Sequence, residues 1–185
     1  MNNKYFLLRH GQNFYQADFP DMVYPCPEPL PILLTDRGKK EATKAAKELK
    51  KMKIEIIFSS DLPRTRQTAE IVGKETGNNI ILDIRLRDTN FGIFGGKRKN
   101  EYINFFSNEQ EKFLKNPPQG ESWQDVKKRV KDFIKEIEEK YQNKRILIVS
   151  HGDPLRILES LLKNIKNESE ILSIKYLKTG EIKEI

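Results

Sequence analysis

Residues 145–152 read RILIVSHG, and residues 5–11 read YFLLRHG. Each is a short apolar run that ends abruptly in a histidine followed by a glycine. Uninterrupted apolar residues over four to six positions describe a strand covered on both faces, the usual condition of a parallel sheet flanked by helices. The switch to His-Gly marks the strand end, where the chain must turn. Strands are therefore expected at Tyr5–Leu8 and Arg145–Ser150, the second being the more hydrophobic and the more central.

Outward from these two runs, strands and helices alternate. Ile54–Ser59 and Ile80–Leu82 read as two further strands. Asp36 to Met52 carries Ala42, Ala45, Ala46, Leu49 and Met52 at helical spacing on one face. A second helix opens with Ser60 or Asp61 as its N-cap and Pro63 in its first turn. A helix of mixed polarity is expected over Glu101–Lys115, stopped by Pro117 and Pro118. Ser122, with Asp125 three positions on, forms a capping-box start for a helix that lines up Val126, Val130, Phe133, Ile134, Ile137 and Tyr141. A short helix follows from Pro154 to Leu162, and Ile171–Leu177 with Glu181–Ile185 reads as a hairpin joined through Thr179-Gly180. The pattern implies one domain over residues 1–185. Its fold class is α/β, a three-layer α/β/α sandwich with a mostly parallel central sheet and a C-terminal antiparallel hairpin.

A net charge of +7 invites a nucleic-acid surface. The lysines, however, alternate with glutamates in KKEATKAAKELKK and KKRVKDFIKEIEEK, the pattern of solvated helix faces with i,i+4 pairs. No nucleic-acid partner is expected, although the basic field favours small anions. No apolar run is long enough for a bilayer, and MNNKYFLLRHG lacks the features of a secretion signal, so no membrane association and a cytoplasmic location are expected. The single cysteine, Cys26, has no partner for an internal disulfide and no evident role. Oligomeric state leaves no mark in the sequence.

Reactive side chains cluster just beyond the four strands: Arg9-His10-Gly11 after the first, Arg64 after the second, Asp88 after the third and His151-Gly152 after the fourth. Open α/β sheets place their ligand crevice there, because the loops leaving the strand ends converge. The chain has two histidines, and both occupy such positions. A neutral imidazole can attack phosphorus and carry the phosphoryl group. Arg9 and Arg64 can clamp phosphate oxygens bidentately. Arg64 also lies in a helix first turn, where free N–H groups favour an anion. His151 can donate to the phosphoryl group as charge builds, and Asp88 can protonate the leaving oxygen and then activate water.

Taken one at a time, these residues have plainer readings. Either arginine could be a surface residue, and Asp88 a solvated loop carboxylate with Asp83 as its rival. Glu121-Ser122 reads mainly as a turn and helix cap, and Trp123, Phe91, Phe94 and Tyr24 as core aromatics. His10 and His151 as a metal pair lack a third ligand at suitable spacing, so neither a metal nor another cofactor is expected.

In order along the chain, LLRHGQN, LTDRGKKEA, SSDLPRTRQTAEIV, LRDTNFGIFGG, PPQGESW and ILIVSHGDPLR resemble the motifs of the histidine phosphatase (phosphoglycerate mutase-like) superfamily. The resemblance runs from the first strand to about residue 156. It implies that His10 is the phosphorylated nucleophile, that Arg9 and Arg64 form the phosphate clamp with Gly152 beside them, and that His151 is the stabilising histidine. Asp88 falls where many members have a glutamate, ahead of the Phe91-Gly92 pair, and Gln16 where the family often has an asparagine near the phosphate. Cofactor-dependent mutases of this family carry a long insertion between the acid loop and the Gly-Glu-Ser turn. Here only Lys97–Gln119 separates them. The implied function is a metal-independent phosphomonoesterase acting on a small phosphorylated metabolite. A mutase with the same site, using Lys97, Arg98 and Lys99 for a second anionic group, is the alternative, and a non-catalytic phosphate-binding protein is another. Residues 13–31 and 97–121 are expected to roof the pocket and select the substrate.

Overall fold

The computed structural model describes residues 3–185. Five strands, β1 (Lys4–Arg9), β2 (Ile56–Ser59), β3 (Ile80–Leu82), β4 (Arg145–Ser150) and β5 (Ile182–Glu184), form one sheet in the order β3-β2-β4-β1-β5. β1, β2, β3 and β4 run parallel, and β5 pairs antiparallel with β1. Seven helices surround the sheet: α1 (Phe14–Asp18), α2 (Asp36–Lys51), α3 (Pro63–Thr76), α4 (Lys99–Asn104), α5 (Trp123–Lys140), α6 (Gly152–Leu162) and α7 (Glu168–Ser173).

Successive strand residues point to opposite faces, so a strand covered on both sides must be apolar throughout. Tyr5, Leu7, Ile146 and Ile148 pack beneath Val126, Val130 and Phe133 of α5 and Leu155 and Leu158 of α6. Phe6, Leu8, Leu147 and Val149 pack against Ala45, Ala46 and Leu49 of α2 and Ala69 and Val72 of α3. These are the two cores of a three-layer sandwich. β4, the most apolar strand, lies in the middle of the sheet, as its composition implied.

β1 and β4 are parallel and in register, with Arg9 opposite Ser150. His10 and His151 therefore leave the sheet at the same edge, one strand apart. α2 is drawn tightly against the turn after His10. A Cβ on Gly38 would lie 1.9 Å from the Gln12 carbonyl oxygen, and one on Gly11 would lie 2.4 Å from that of Gly38. Only glycines permit this approach.

Three local expectations are corrected. The second helix starts behind Leu62, which makes no side-chain cap. The hydroxyl of Ser60 instead accepts from Leu62 N at 3.3 Å and lies 3.1 Å from His151 Nε2. The helix expected over Glu101–Lys115 ends at Asn104. Phe105 and Phe106 turn to pack on Phe94 and Tyr102, and Asn108 caps a separate 3₁₀ turn over Glu109–Phe113. The C-terminal hairpin does not form. Asn167 caps α7 across its first half, Ile171 is buried in the core, and the remaining strand β5 pairs with β1.

Candidate active site

The strand-end residues meet in one cluster. The His10 and His151 rings are both buried, with centroids 5.2 Å apart. His10 Nδ1 lies 2.9 Å from the Gly11 carbonyl oxygen. A carbonyl can only accept, so in the neutral ring Nδ1 carries the proton and Nε2 keeps its lone pair. His10 Nε2 is buried and bonded to no described residue. Burial, then the nearby charges of Arg64 and Arg9, hold the His10 pKa well below the usual value, which keeps the ring neutral. Burial and Arg64 do the same for His151.

Arg64 is fully buried in the first turn of α3. Its guanidinium lies 4.3 Å from the Tyr24 ring centre, donates to Asp88 Oδ2 at 3.3 Å and forms a close ion pair with Glu28. Arg9 Nη1 donates to the Leu177 carbonyl oxygen at 2.8 Å. Asp88 accepts from its neighbour Thr89 N at 3.0 Å, and its Oδ2 stands 3.6 Å from His151 Nδ1. Burial raises the Asp88 pKa, opposed mainly by Arg64. Asp83, the rival carboxylate, is bound to Arg85 at 2.6 Å.

Four nitrogens in this cluster, Arg9 Nε, Arg64 Nε, His10 Nε2 and His151 Nδ1, are buried without a hydrogen-bond partner among the described residues. Leaving a buried donor or acceptor unsatisfied costs about 1–3 kcal/mol. Native proteins concentrate such costs where a ligand meets them. A tetrahedral oxyanion suits the two guanidinium groups and the second imidazole, and its central atom suits the free lone pair of His10. Gly152 opens α6, and no side chain caps that helix start; a Cβ there would lie 3.8 Å from Arg9 Cζ, so its backbone borders the clamp. Gln16 is less direct: it is paired with Asn13 in the capping box of α1 and borders the cavity beside the cluster.

Two features had no local sequence signal. Glu28 comes from the Pro-rich segment 25–31 and places its carboxylate on Arg64. Arg129 of α5 donates to the carbonyl oxygens of Asp88, at 3.1 Å, and Arg85, at 2.6 Å. Its Nε donates to Glu121 Oε1 at 2.9 Å, and Glu121 Oε2 accepts from Asn90 N at 2.9 Å. Glu121 is thus more than a turn residue, because it ties the Asp88 loop to α5. Ser122 is the helix cap that the sequence indicated. Of the basic trio, Lys97 stacks on Phe94, and Lys99 Nζ donates to the Pro20 carbonyl oxygen.

The low histidine pKa values carry a stability consequence. Unfolding lets both rings bind protons near pH 6.5, whereas the folded rings stay neutral there. The unfolded state therefore gains protons as pH falls, so stability is full above that pH and declines below it. The slope reaches about 1.4 kcal/mol per pH unit for each ring. Asp88 acts in the opposite direction, between 3.8 and its raised value. Urea unfolding at pH 7.5 and 5.5 is expected to show a lower midpoint at the acidic pH. An unchanged midpoint would mean that the folded histidines are charged.

The model of the histidine phosphatase superfamily (branch 1) matches residues 5–178. A protein of Escherichia coli named "Probable phosphoglycerate mutase GpmB" is 32% identical over 166 residues, covering 85% of this chain and 73% of its own. Among solved structures, Bacillus stearothermophilus YhfR superposes with a TM-score of 0.83 at 25% identity, over 98% of this chain and 90% of its own. The mycobacterial glucosyl-3-phosphoglycerate phosphatase Rv2419c superposes with a TM-score of 0.84 at 24% identity, over 98% and 88%, a likeness of fold. No helix among the described residues is long and apolar enough to cross a membrane. With its two buried strand-end histidines gathered beside Arg9 and the fully buried Arg64, the chain belongs to the histidine phosphatase superfamily.

Proposed function

We propose that the chain is a metal-independent phosphomonoester phosphatase that turns over through a phosphohistidine on His10. The observation that carries this reading is the His10 ring, neutral and fixed through Nδ1, with Nε2 buried and unpartnered beside two guanidinium groups. Nε2 attacks phosphorus, the bond to the ester oxygen breaks, and that oxygen takes the proton of Asp88 to leave as the alcohol. Asp88, now a carboxylate, removes a proton from water as the water attacks the phosphohistidine, and phosphate departs from a restored His10 and Asp88. Arg9, Arg64, His151 and the backbone at Gly152 hold the oxygens whose charge grows during each transfer. Gln16 lies further out, toward the substrate. The raised pKa of Asp88 favours the protonated form that the first step needs. The substrate is a small phosphorylated metabolite, in a cytoplasmic protein with no nucleic-acid or membrane role.

The mutase alternative draws on the name of the E. coli relative. Against it, only Lys97–Gln119 separates the acid loop from the Gly-Glu-Ser turn, and Lys99 of the basic trio is engaged with the Pro20 carbonyl oxygen. Phosphate release from 4-nitrophenyl phosphate, unaffected by chelator, supports the hydrolase. A requirement for a divalent metal overturns the mechanism, and inert substrate with folded protein supports a binding protein.

Glu28 adds a further expectation. Its carboxylate holds the guanidinium that an incoming phosphate needs, so the two anions compete for Arg64. When a binding-competent state is only partly populated, apparent affinity falls by that fraction. Glu28→Gln is expected to lower the inhibition constant of inorganic phosphate roughly tenfold. A constant that rises would show that Glu28 assists binding.

A further inference from the structure

A cavity of about 390 Å³ opens from the reacting cluster, with Arg9, Asp88 and Gly152 on its inner wall. Asp88 borders this cavity and also a second one of about 620 Å³ beside Glu28; Arg9 and Gly152 border only the first, which marks it as the one that receives the leaving group. Its outer wall is made of rings, including Tyr15, Phe19, Phe91, Tyr102, Trp123 and Tyr176. Phe91 meets Tyr102 edge-on at 5.0 Å between ring centres, and the Tyr102 hydroxyl has its pKa raised by burial.

The polar groups of the chamber are mostly occupied. Asp153 accepts from Tyr176 OH at 2.7 Å and from Thr89 Oγ1 at 3.1 Å. Lys99 is bound to the Pro20 carbonyl oxygen, and Lys112 lies 3.4 Å from Glu109. The indole N–H of Trp123, in contrast, is buried with no partner among the described residues. Aromatic walls with a spare buried donor suit a flat, uncharged group that bears a hydrogen-bond acceptor. A short chain such as phosphoglycerate would leave most of these rings uncovered, and Lys99 and Lys112 on the wall are already paired.

We infer that the substrate is the phosphomonoester of an alcohol carrying an aromatic or heteroaromatic ring system, which this chamber holds. The inference rests on the phosphatase reading of the same site. It also separates this chain from phosphoglycerate-type chemistry, where the reacting phosphate is held but the rest of the substrate is small and anionic.

The test compares 2-(1-naphthyl)ethyl phosphate with n-propyl phosphate and 3-phosphoglycerate. The first two have leaving groups of similar basicity, so their difference reports binding of the ring rather than ease of departure. Burying a bicyclic ring among aromatic side chains is expected to raise kcat/KM roughly 100-fold over n-propyl phosphate. Equal values, or a preference for 3-phosphoglycerate, overturn the inference. Tyr102→Leu keeps an apolar side chain but removes the ring and is expected to cut the naphthyl-to-propyl ratio at least about fivefold, chiefly through KM. An unchanged ratio would also count against the chamber. If none of these esters nor 4-nitrophenyl phosphate is hydrolysed, the phosphatase reading fails. Calorimetric binding of the naphthyl and propyl esters then decides the chamber by itself, tighter naphthyl binding supporting it and equal binding overturning it.

Discussion

His10→Ala is expected to lower kcat for 4-nitrophenyl phosphate by about 10⁴-fold or more, and to abolish the covalent intermediate. The expectation follows from how the ring is held. Nδ1 is fixed by the Gly11 carbonyl oxygen, and burial with two neighbouring arginines keeps Nε2 unprotonated across the neutral range. No neighbouring group can replace that lone pair: His151 Nε2 lies 3.1 Å from the Ser60 hydroxyl, and its Nδ1 faces Asp88. Quenching in alkaline detergent during turnover of a ³²P-labelled ester should leave label on the wild-type protein that is stable to base and lost in acid, as a phosphoramidate is. The variant should carry none. Arg9 and Arg64 remain in His10→Ala, so inorganic phosphate should still bind, which separates a lost nucleophile from a collapsed pocket. Activity within tenfold of wild type would remove His10 from the mechanism.

What the sequence made legible was local. A buried parallel strand is continuous apolar text, and the turn that ends it is written in the adjacent residues, so YFLLRHG and RILIVSHG placed both histidines before any coordinates. The helices α2 and α5 were readable because their apolar spacing, and for α5 its cap Ser122, lie within a few residues. The misreadings arose where tertiary contacts competed with local signals. Thr179-Gly180 has hairpin chemistry, yet the Gly180 amide donates to the Arg9 carbonyl oxygen at 3.1 Å, which fastens the turn to the end of β1. The apolar residues of 171–177 serve a core, not a strand: Ile171 is buried, and the carbonyl of Leu177 receives Arg9. Glu28 and Arg129 were silent because their partners, Arg64 and the Asp88 loop, are far away in sequence and leave no periodicity. Pro-rich text announced a constrained loop but not which side chain it would deliver.

Asp88→Asn is expected to separate the two halves of the reaction. An amide has no acidic proton to give, so hydrolysis of an alkyl phosphate, whose alkoxide leaves poorly, should fall by about 10²–10³-fold. 4-Nitrophenolate departs without protonation, so transfer of its phosphoryl group to His10 should be largely spared. The second half still needs Asp88 to take a proton from water, and dephosphorylation should be slow with either ester. The variant is therefore expected to release nitrophenol in a burst approaching one equivalent per active site and then to turn over slowly. The pH dependence follows from the same carboxyl. Burial raises its pKa, so the protonated acid persists to higher pH than for a solvated aspartate, and kcat/KM for an alkyl ester should decline as pH rises through that value. The amide substitution removes this limb and leaves the acidic one, in which the imidazole of His10 becomes protonated at a pH well below its usual range. An equal loss for both esters with no burst would mean that Asp88 serves the site chiefly by holding Arg64, 3.3 Å away.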